Sequence, residues 1–295
     1  MAYVGRFAPS PTGRLHLGNL HTAALAWADS RAHGGTFLIR MEDLDTPRVV
    51  PGASDGILRD LDHLGIDWDG EVLVQSQHLN VYADTLRVLM QEGLVYPCRC
   101  SRADVLRSAS APHGQEGPIY PGICRDLTLP HSGLDTANNR LSWRVRVEGT
   151  QSLVDRRLGR WVEDLVVESG DFVVRRSDGI FAYQLACVVD DLRQGVTHVV
   201  RGEDLASSSG RQQFLWSLLG GRCPSWLHLP LQADAEGRKL SKRDRLSSGE
   251  KVHGPEVLGG VAHQLGWVPA GAQLKASEFL ALYQQYDPWP EVIRG

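Results

Sequence analysis

Apolar positions change their spacing several times along this chain, and each change marks an element. Tyr3, Val4, Phe7 and Ala8 form a short run that contains β-formers and stops at Pro9 and Pro11, because proline cannot continue a central strand. From Leu20 the spacing turns helical: Leu20, Ala23, Ala24, Trp27 and Ala28 share one face, and Gly34-Gly35 close the helix. Residues 36–41 read as a strand that runs into Glu42-Asp43-Leu44-Asp45. Helical spacing returns over 54–65 (Ile57, Leu58, Leu61, Leu64) and 76–93, and Val95-Tyr96 begins another strand. Strands alternating with helices across short loops predict a right-handed parallel sheet with helices on both faces.

The pattern breaks at Pro97. A loop rich in Ser, Ala, Pro, Gly and His follows, and then Leu141, Trp143, Val145 and Val147 alternate with polar residues as in a half-buried strand. Short strands are expected at 172–174 and 180–182 around the Asp178-Gly179 turn, then a helix at 183–192, a strand at 196–200 and a helix at 207–219. These shifts divide the chain into a first half of an α/β domain (1–96), an insertion (97–170), a second half (171–225) and a lysine-bearing loop with two helices at 255–265 and 277–286 (226–295).

Composition narrows the classes. The chain has 295 residues, 42% hydrophobic and 22% charged, as in an ordinary globular protein. No apolar run approaches membrane length, and Met1-Ala2-Tyr3 leads straight into a strand, so neither a membrane nor a secretion signal is expected. Five cysteines, an odd number, suit a reduced cytoplasmic setting. A net charge of -4 gives no bulk attraction to nucleic acid. RNA contacts are therefore expected from local clusters, such as Arg156, Arg157 and Arg160, or the lysine loop.

Candidate chemistry starts where the first strand meets the first helix. Gly13 and Gly18 permit a close backbone, and His16 stands at the helix start, where free N–H groups and a partial positive charge favour a phosphate. The spacing is neither that of a P-loop nor that of a dinucleotide fingerprint. Over two hundred residues later, Lys239-Leu240-Ser241-Lys242-Arg243 crowds cations onto a polar loop, a run that by itself usually reads as a solvated face. Cys98, Cys100 and Cys124 read either as free buried thiols or as three of the four ligands of a tetrahedral zinc site, with Tyr120, His113 and His131 as candidates for the fourth. Cys187 sits among Leu185, Ala186, Val188 and Val189 and reads as core, and Cys223 has no partner. Arg6, Ser10, Glu42, Tyr183 and Arg201 are scattered. Four of them fall where a strand ends or a helix begins, though an isolated Arg or Glu there would read as a surface ion pair.

Pro9-Ser10-Pro11-Thr12-Gly13, His16-Leu17-Gly18-Asn19 and the lysine motif together resemble the paired signatures of the class I aminoacyl-tRNA synthetases, with the proline-rich lead-in of the glutamyl branch. The resemblance covers most of the chain. It implies an α/β, Rossmann-like parallel-sheet catalytic domain with a zinc-bearing insertion and a short helical part at the end. It implies ATP, with Mg2+, held by His16, Gly18, Asn19, Lys239 and Lys242, His16 and Lys242 being catalytic. L-glutamate would be held by Arg6, Phe7, Ala8, Pro9, Ser10, Glu42, Tyr183 and Arg201. Arg201 suits a side-chain carboxylate. Glutaminyl enzymes resemble the chain in the other motifs but lack this arginine, which favours glutamate. Asn19 stands where the broader class often has a second histidine, and an amide still donates.

The end at Gly295, which leaves no room for anticodon-binding domains, is similar to the glutamyl-Q tRNA(Asp) synthetases. These transfer activated glutamate to the cyclopentene-diol of queuosine in the anticodon of tRNA(Asp). That family has a tyrosine just upstream of the last cysteine, which makes Cys98, Cys100, Tyr120 and Cys124 the expected holders of one structural zinc. A monomer is expected. Two other readings are a compact synthetase charging the 3′ end of tRNA(Glu) and a non-catalytic RNA-binding relic. Retention of both phosphate motifs and all five scattered positions counts against the relic. The absent anticodon domains count against ordinary charging.

Overall fold

The computed structural model describes residues 2–108, 119–127, 141–231 and 252–290. β1 (Val4–Phe7) leads through the proline loop into α1 (Leu17–Ala32), which crosses back to β2 (Thr36–Met41). β1 and β2 are parallel, with Val4 opposite Thr36. After α2 (Ala53–His63), β3 (Leu73–Val74) pairs in parallel with the end of β2. A 3-10 turn at Gln75–His78 then opens α3 (Leu79–Gln91).

The parallel order ends one element earlier than the sequence pattern implies. β4 (Val95–Cys98) does not extend the first sheet. After α4 (Arg102–Ser108), β5 (Ser142–Val145) pairs with β4 in the antiparallel sense, Val95 opposite Val145. β6 (Thr150–Asp155) and β7 (Gly159–Asp164) form a hairpin, followed by the single turn α5 (Leu165–Glu168). β8 (Val173–Arg175) then completes a separate three-stranded sheet in the order β4-β5-β8.

α6 (Tyr183–Arg193), β9 (His198–Gly202), α7 (Ser209–Leu218) and β10 (Ser225–Leu229) restore the alternating pattern, with β9 and β10 parallel. β6, still paired with β7, joins this second set beside β10, Asp155 opposite Trp226, so the sheet runs β7-β6-β10-β9. α8 (Gly254–Gln264) and α9 (Ala276–Tyr286) pack on α1. The two parallel sets meet at β1 and β9. Thr197 N donates to the Val4 carbonyl at 2.9 Å, and Val4 N donates to Thr197 Oγ1 at 2.8 Å. In open α/β sheets the carboxyl ends on either side of such a reversal in strand order form the ligand crevice.

One apolar core lies between β1, β2, α1, α8 and α9 and includes Phe7, Leu20, Trp27, Phe37 and Phe279. Alanines at 23, 24, 26 and 28 keep α1 thin enough to be buried along most of its length. A second core, with Tyr82, Leu86, Trp143, Leu185 and Leu215, fills the space between α3, β5, α6 and α7. A third, small cluster holds Tyr96, Val105 and Tyr120 with Cys98 and Cys124.

α1 also carries a buried acid. Asp29 is fully enclosed and accepts hydrogen bonds from Tyr3 Oη, from Tyr283 Oη at 2.8 Å, and from Arg156 Nη1 and Nη2 at 2.6 and 2.9 Å. Arg156, expected to contact RNA, is thereby spent inside the protein, with its side chain 3% exposed. Arg157 is tied to Glu203 and to the His228 carbonyl, which leaves Arg160 as the exposed member of the three. Adjacency in sequence did not disclose that the β6–β7 turn folds down onto α1.

Removing Asp29 takes from the buried Arg156 its nearest carboxylate and leaves Asp287 Oδ1 at 3.7 Å. Asp29→Ala should lower the unfolding free energy in urea by about 3–5 kcal/mol, whereas Arg160→Ala should change it by less than about 0.5 kcal/mol. Equal urea midpoints for Asp29→Ala and the parent chain would contradict this account of the hub.

Candidate active site

The loop between β1 and α1 is shaped by its own residues. Gly13 takes φ 126°, a conformation that costs a side-chain-bearing residue dearly. Glu42 N donates to the Pro9 carbonyl at 2.9 Å, so the loop rests on the end of β2. His16 is the N-cap of α1. Its Nδ1 accepts from Asn19 N at 3.2 Å, and Asn19 Oδ1 accepts from His16 N at 3.4 Å. Because Nδ1 must keep its lone pair for this bond, the neutral ring carries its proton on Nε2. Asn19 thus closes a reciprocal cap and still has its amide N–H groups.

A cavity of about 780 Å³ opens at the ends of β1 and β9. All eight residues expected around glutamate line it, as do His16, Gly18 and Asn19. Thr12, His21 and Arg176 line it too, which the sequence reading did not foresee. Lys239 and Lys242 lie outside the described residues, as do His113 and His131.

Behind one wall lies a charge network. Arg6 Nε meets Asp191 Oδ1 at 3.2 Å, and Arg40 Nη1 meets the same oxygen at 2.7 Å. Arg40 Nη2 reaches Glu42 Oε1 at 3.2 Å, and Nη1 also donates to Gln194 Oε1 at 2.9 Å. Burial alone would raise the Asp191 carboxyl, but the Arg40 and Arg6 guanidinium groups hold it below the ordinary carboxylate range. For Glu42 burial wins over the same two arginines, and its carboxyl is raised. Cys187 is buried as expected. Yet its Sγ faces Arg40 at 3.6 Å and Asp191 at 3.7 Å, and burial pushes the thiol up to about 12. Tyr183, at the start of α6, has its phenol raised by desolvation and so stays a donor.

The facing wall is built on Arg201, 4% exposed at the end of β9. Nε donates to His228 Nε2 at 3.0 Å, Nη1 to Gln212 Oε1 at 2.7 Å and Nη2 to Ser209 Oγ at 2.9 Å. The Trp226 ring lies 4.6 Å from the guanidinium carbon. No carboxylate among the described residues makes an ion pair with it. His228 Nδ1 in turn lies 2.7 Å from Asp155 Oδ2.

Neither Arg40, Asp191, His228 nor Asp155 was singled out from the sequence. A signal existed for two of them: Arg40 ends an apolar run, Phe37-Leu38-Ile39, and Asp190-Asp191 closes Leu185-Ala186-Cys187-Val188-Val189. A charge within an apolar segment implies a buried partner.

In the insertion, Cys98, Cys100 and Cys124 bring their sulfurs within 4.8 Å of one another, a cluster suited to a metal ion. Cys100 and Cys124 are 3.6 Å apart, and Tyr120 Oη lies 3.4 Å from Cys98 Sγ and 3.8 Å from Cys100 Sγ. Burial opposes ionisation of Cys98, but hydrogen bonds from Tyr120 and Arg144 bring its thiol down to about 7. Cys223, expected to have no partner, donates to Gln213 Oε1 at 3.5 Å.

Residues 3–273 match the family model described as tRNA synthetases class I (E and Q), catalytic domain. The chain is 51% identical over 247 residues to the glutamyl-Q tRNA(Asp) synthetase of Geobacter sulfurreducens, covering 83% of this chain and 77% of that one. It is 47% identical over 272 residues to the protein of the same name from Thiobacillus denitrificans, covering 92% and 87%. Among solved structures, glutamate-tRNA synthetase from Elizabethkingia anophelis superposes with a TM-score of 0.75 at 24% identity. That match covers 95% of this chain and 65% of the other, so the chain spans just under two thirds of its length. Among the described residues no helix is long and apolar enough to cross a membrane.

Asp191→Asn would leave Arg6 and Arg40 without their shared anion. We expect a loss of about 3–5 kcal/mol in unfolding free energy near neutral pH. Since the folded carboxyl titrates below its unfolded value, its contribution is complete above about pH 4 and is lost as the pH falls through the lower folded value. Guanidinium melts across that range should therefore show the parent and variant converging on the acid side. A gap independent of pH would contradict the assignment.

Proposed function

The chain belongs to the class I tRNA synthetase (E and Q) catalytic-domain family, and we propose that it activates L-glutamate with ATP and transfers it to the queuosine nucleoside in the anticodon of tRNA(Asp). The observation that carries the choice of glutamate is Arg201. A buried guanidinium fixed by neutral groups, with two of its five N–H bonds uncommitted among the described residues, suits a substrate carboxylate and offers an amide nitrogen nothing to donate to.

The other roles follow from the same cavity. Glu42 is the anion for the substrate ammonium, whose positive charge favours the carboxylate against the burial that raises it. Arg6, Ser10, Tyr183 and the backbone of Phe7, Ala8 and Pro9 complete the amino-acid side. His16, through Nε2–H, the Asn19 amide and the open N–H groups of α1 beside Gly18 meet the phosphates. Lys239 and Lys242 are the opposing cations. A glutamate carboxylate oxygen attacks the α-phosphorus and pyrophosphate leaves, so the protein need provide no nucleophile. The electron pair of the broken P–O bond departs on pyrophosphate, whose charge Lys242 meets. A queuosine hydroxyl then attacks the activated carbonyl, forming an ester and releasing AMP. The queuosine acceptor is supported by the names of relatives 47–51% identical over most of this chain.

The cysteine cluster is proposed to hold one zinc ion, with Tyr120 as fourth ligand. A tetrahedron with Zn–S bonds of about 2.3 Å sets the sulfurs about 3.8 Å apart. The Cys100–Cys124 separation of 3.6 Å and the Tyr120 contacts fit that spacing. The ion would cross-link the loop-rich insertion.

Glutamate-dependent exchange of pyrophosphate into ATP should proceed without RNA and collapse in Lys242→Ala, and glutamine should not replace glutamate. An anticodon hairpin of tRNA(Asp) bearing queuosine should take up glutamate as an alkali-labile ester, and the unmodified hairpin should not. Glutamate found only on the 3′ end of tRNA(Glu) would give the function to a charging enzyme instead.

Purified protein should contain about one equivalent of zinc. Cys100→Ser should lower both the zinc content and the melting temperature while leaving the preference for glutamate intact. Metal-free protein of undiminished stability would refute the zinc site.

A further inference from the structure

We infer that the buried pair Asp155–His228 is a positioning device that holds Arg201 without neutralising it, and that selection of glutamate over glutamine depends on this pair. The inference rests on the reading that Arg201 meets the substrate side chain.

Its basis is the order of donors and acceptors. Asp155 Oδ1 accepts from Arg157 N at 2.9 Å and Leu158 N at 2.7 Å, while Oδ2 accepts from His228 N at 2.9 Å. Those backbone bonds fix the carboxylate at the end of β6 before the imidazole is considered. With Oδ2 2.7 Å from His228 Nδ1, the ring must carry its proton on Nδ1 and donate it there. Nε2 is then a pure acceptor, and it receives Arg201 Nε–H at 3.0 Å. Asp155 and His228 are both fully buried, so no water competes for either bond. Gln212 and Ser209 fix the two Nη atoms, and the guanidinium has one orientation.

The imidazole is a spacer. Were Asp155 in direct contact with Arg201, the arginine would already have its anion, and a second carboxylate would be repelled by the first. With a neutral ring between them, Arg201 is oriented by hydrogen bonds while its charge is left for the ligand. Arg6 and Arg40 on the opposite wall show the other arrangement, each bonded directly to Asp191. The device also spans the chain: Asp155 comes from β6, whereas Arg201 and His228 come from β9 and β10.

Three variants test this by steady-state pyrophosphate exchange with glutamate and with glutamine, alongside KM for ATP and melting temperature. Asp155→Asn keeps shape but must present its amide N–H either to the imidazole or to the backbone donors. In the first case the ring proton moves to Nε2, facing Arg201 Nε–H. His228→Leu removes the acceptor, and His228→Gln returns a carbonyl oxygen. We expect Asp155→Asn and His228→Leu to raise KM for glutamate by about tenfold or more, the scale of one charge-assisted hydrogen bond. The glutamate-to-glutamine ratio of kcat/KM should fall by a similar factor, with KM for ATP unchanged, and His228→Gln should recover part of the ratio. If the ratio stays at the parent value in Asp155→Asn and His228→Leu, or if KM for ATP rises in step with KM for glutamate, the pair is merely structural and the inference is wrong. Arg201→Lys separates the two levels: a parent-like glutamate KM there would overturn the underlying reading of Arg201, whereas its loss together with intact dyad variants overturns the positioning role alone.

Discussion

Two arginines, Arg6 and Arg40, are removed from water at the ends of neighbouring strands, and a single carboxylate from α6 answers both. A buried guanidinium without a partner costs several kcal/mol, so this arrangement dictates where α6 must lie relative to β1 and β2. It joins segments far apart in sequence, since Asp191 follows the insertion that separates the two parallel sets. Burial in the same place raises the Glu42 carboxyl and the Cys187 thiol against the pull of those two arginines. The cavity wall is thus a by-product of charge balance. The loop after β1, itself resting on β2 through the Glu42–Pro9 bond, is placed by it as well.

The opposite wall solves a different problem with the same residue type. A recognition group must be rigid yet unsatisfied, two demands that ordinary ion pairing cannot meet together. Around Arg201 the rigidity comes from an imidazole, an amide, a hydroxyl and an indole face. None of these carries formal charge in the tautomer described. Asp155 is kept one ring away. Low local dielectric strengthens the bonds that orient the guanidinium, and it strengthens equally its pull on an arriving carboxylate.

The cysteine-bearing part of the insertion gathers only a small apolar cluster. Its antiparallel sheet is held to its loops by Asp171, which accepts from Tyr96 Oη at 2.6 Å and Val147 N at 2.8 Å and pairs with Arg125. Arg144 lies 3.8 Å over the Tyr120 ring and donates to Cys98 Sγ at 3.4 Å. So few apolar residues gather beside the three sulfurs that a cross-link there has a plain structural purpose.

Periodicity and punctuation determined much on their own. The alternating strands and helices, the glycine-bearing loop before α1, and the cysteine spacing are local signals, because backbone preference and side-chain period act within a few residues. The scattered residues Arg6, Ser10, Glu42, Tyr183 and Arg201 were brought together by the family resemblance and not by any local signal, and the structure places them around one cavity. What only the tertiary structure decided is partnership. That β4 turns to an antiparallel sheet, that β6 crosses to β10, and that Arg156 is committed to Asp29 depend on which surfaces meet after the chain has doubled back. Arg40, Asp191, Asp155 and His228 belong to the same category. A lone charge in an apolar run announces that a partner exists, but the partner lies more than seventy residues away along the chain. No local preference encodes that separation, and only the folded packing sets it.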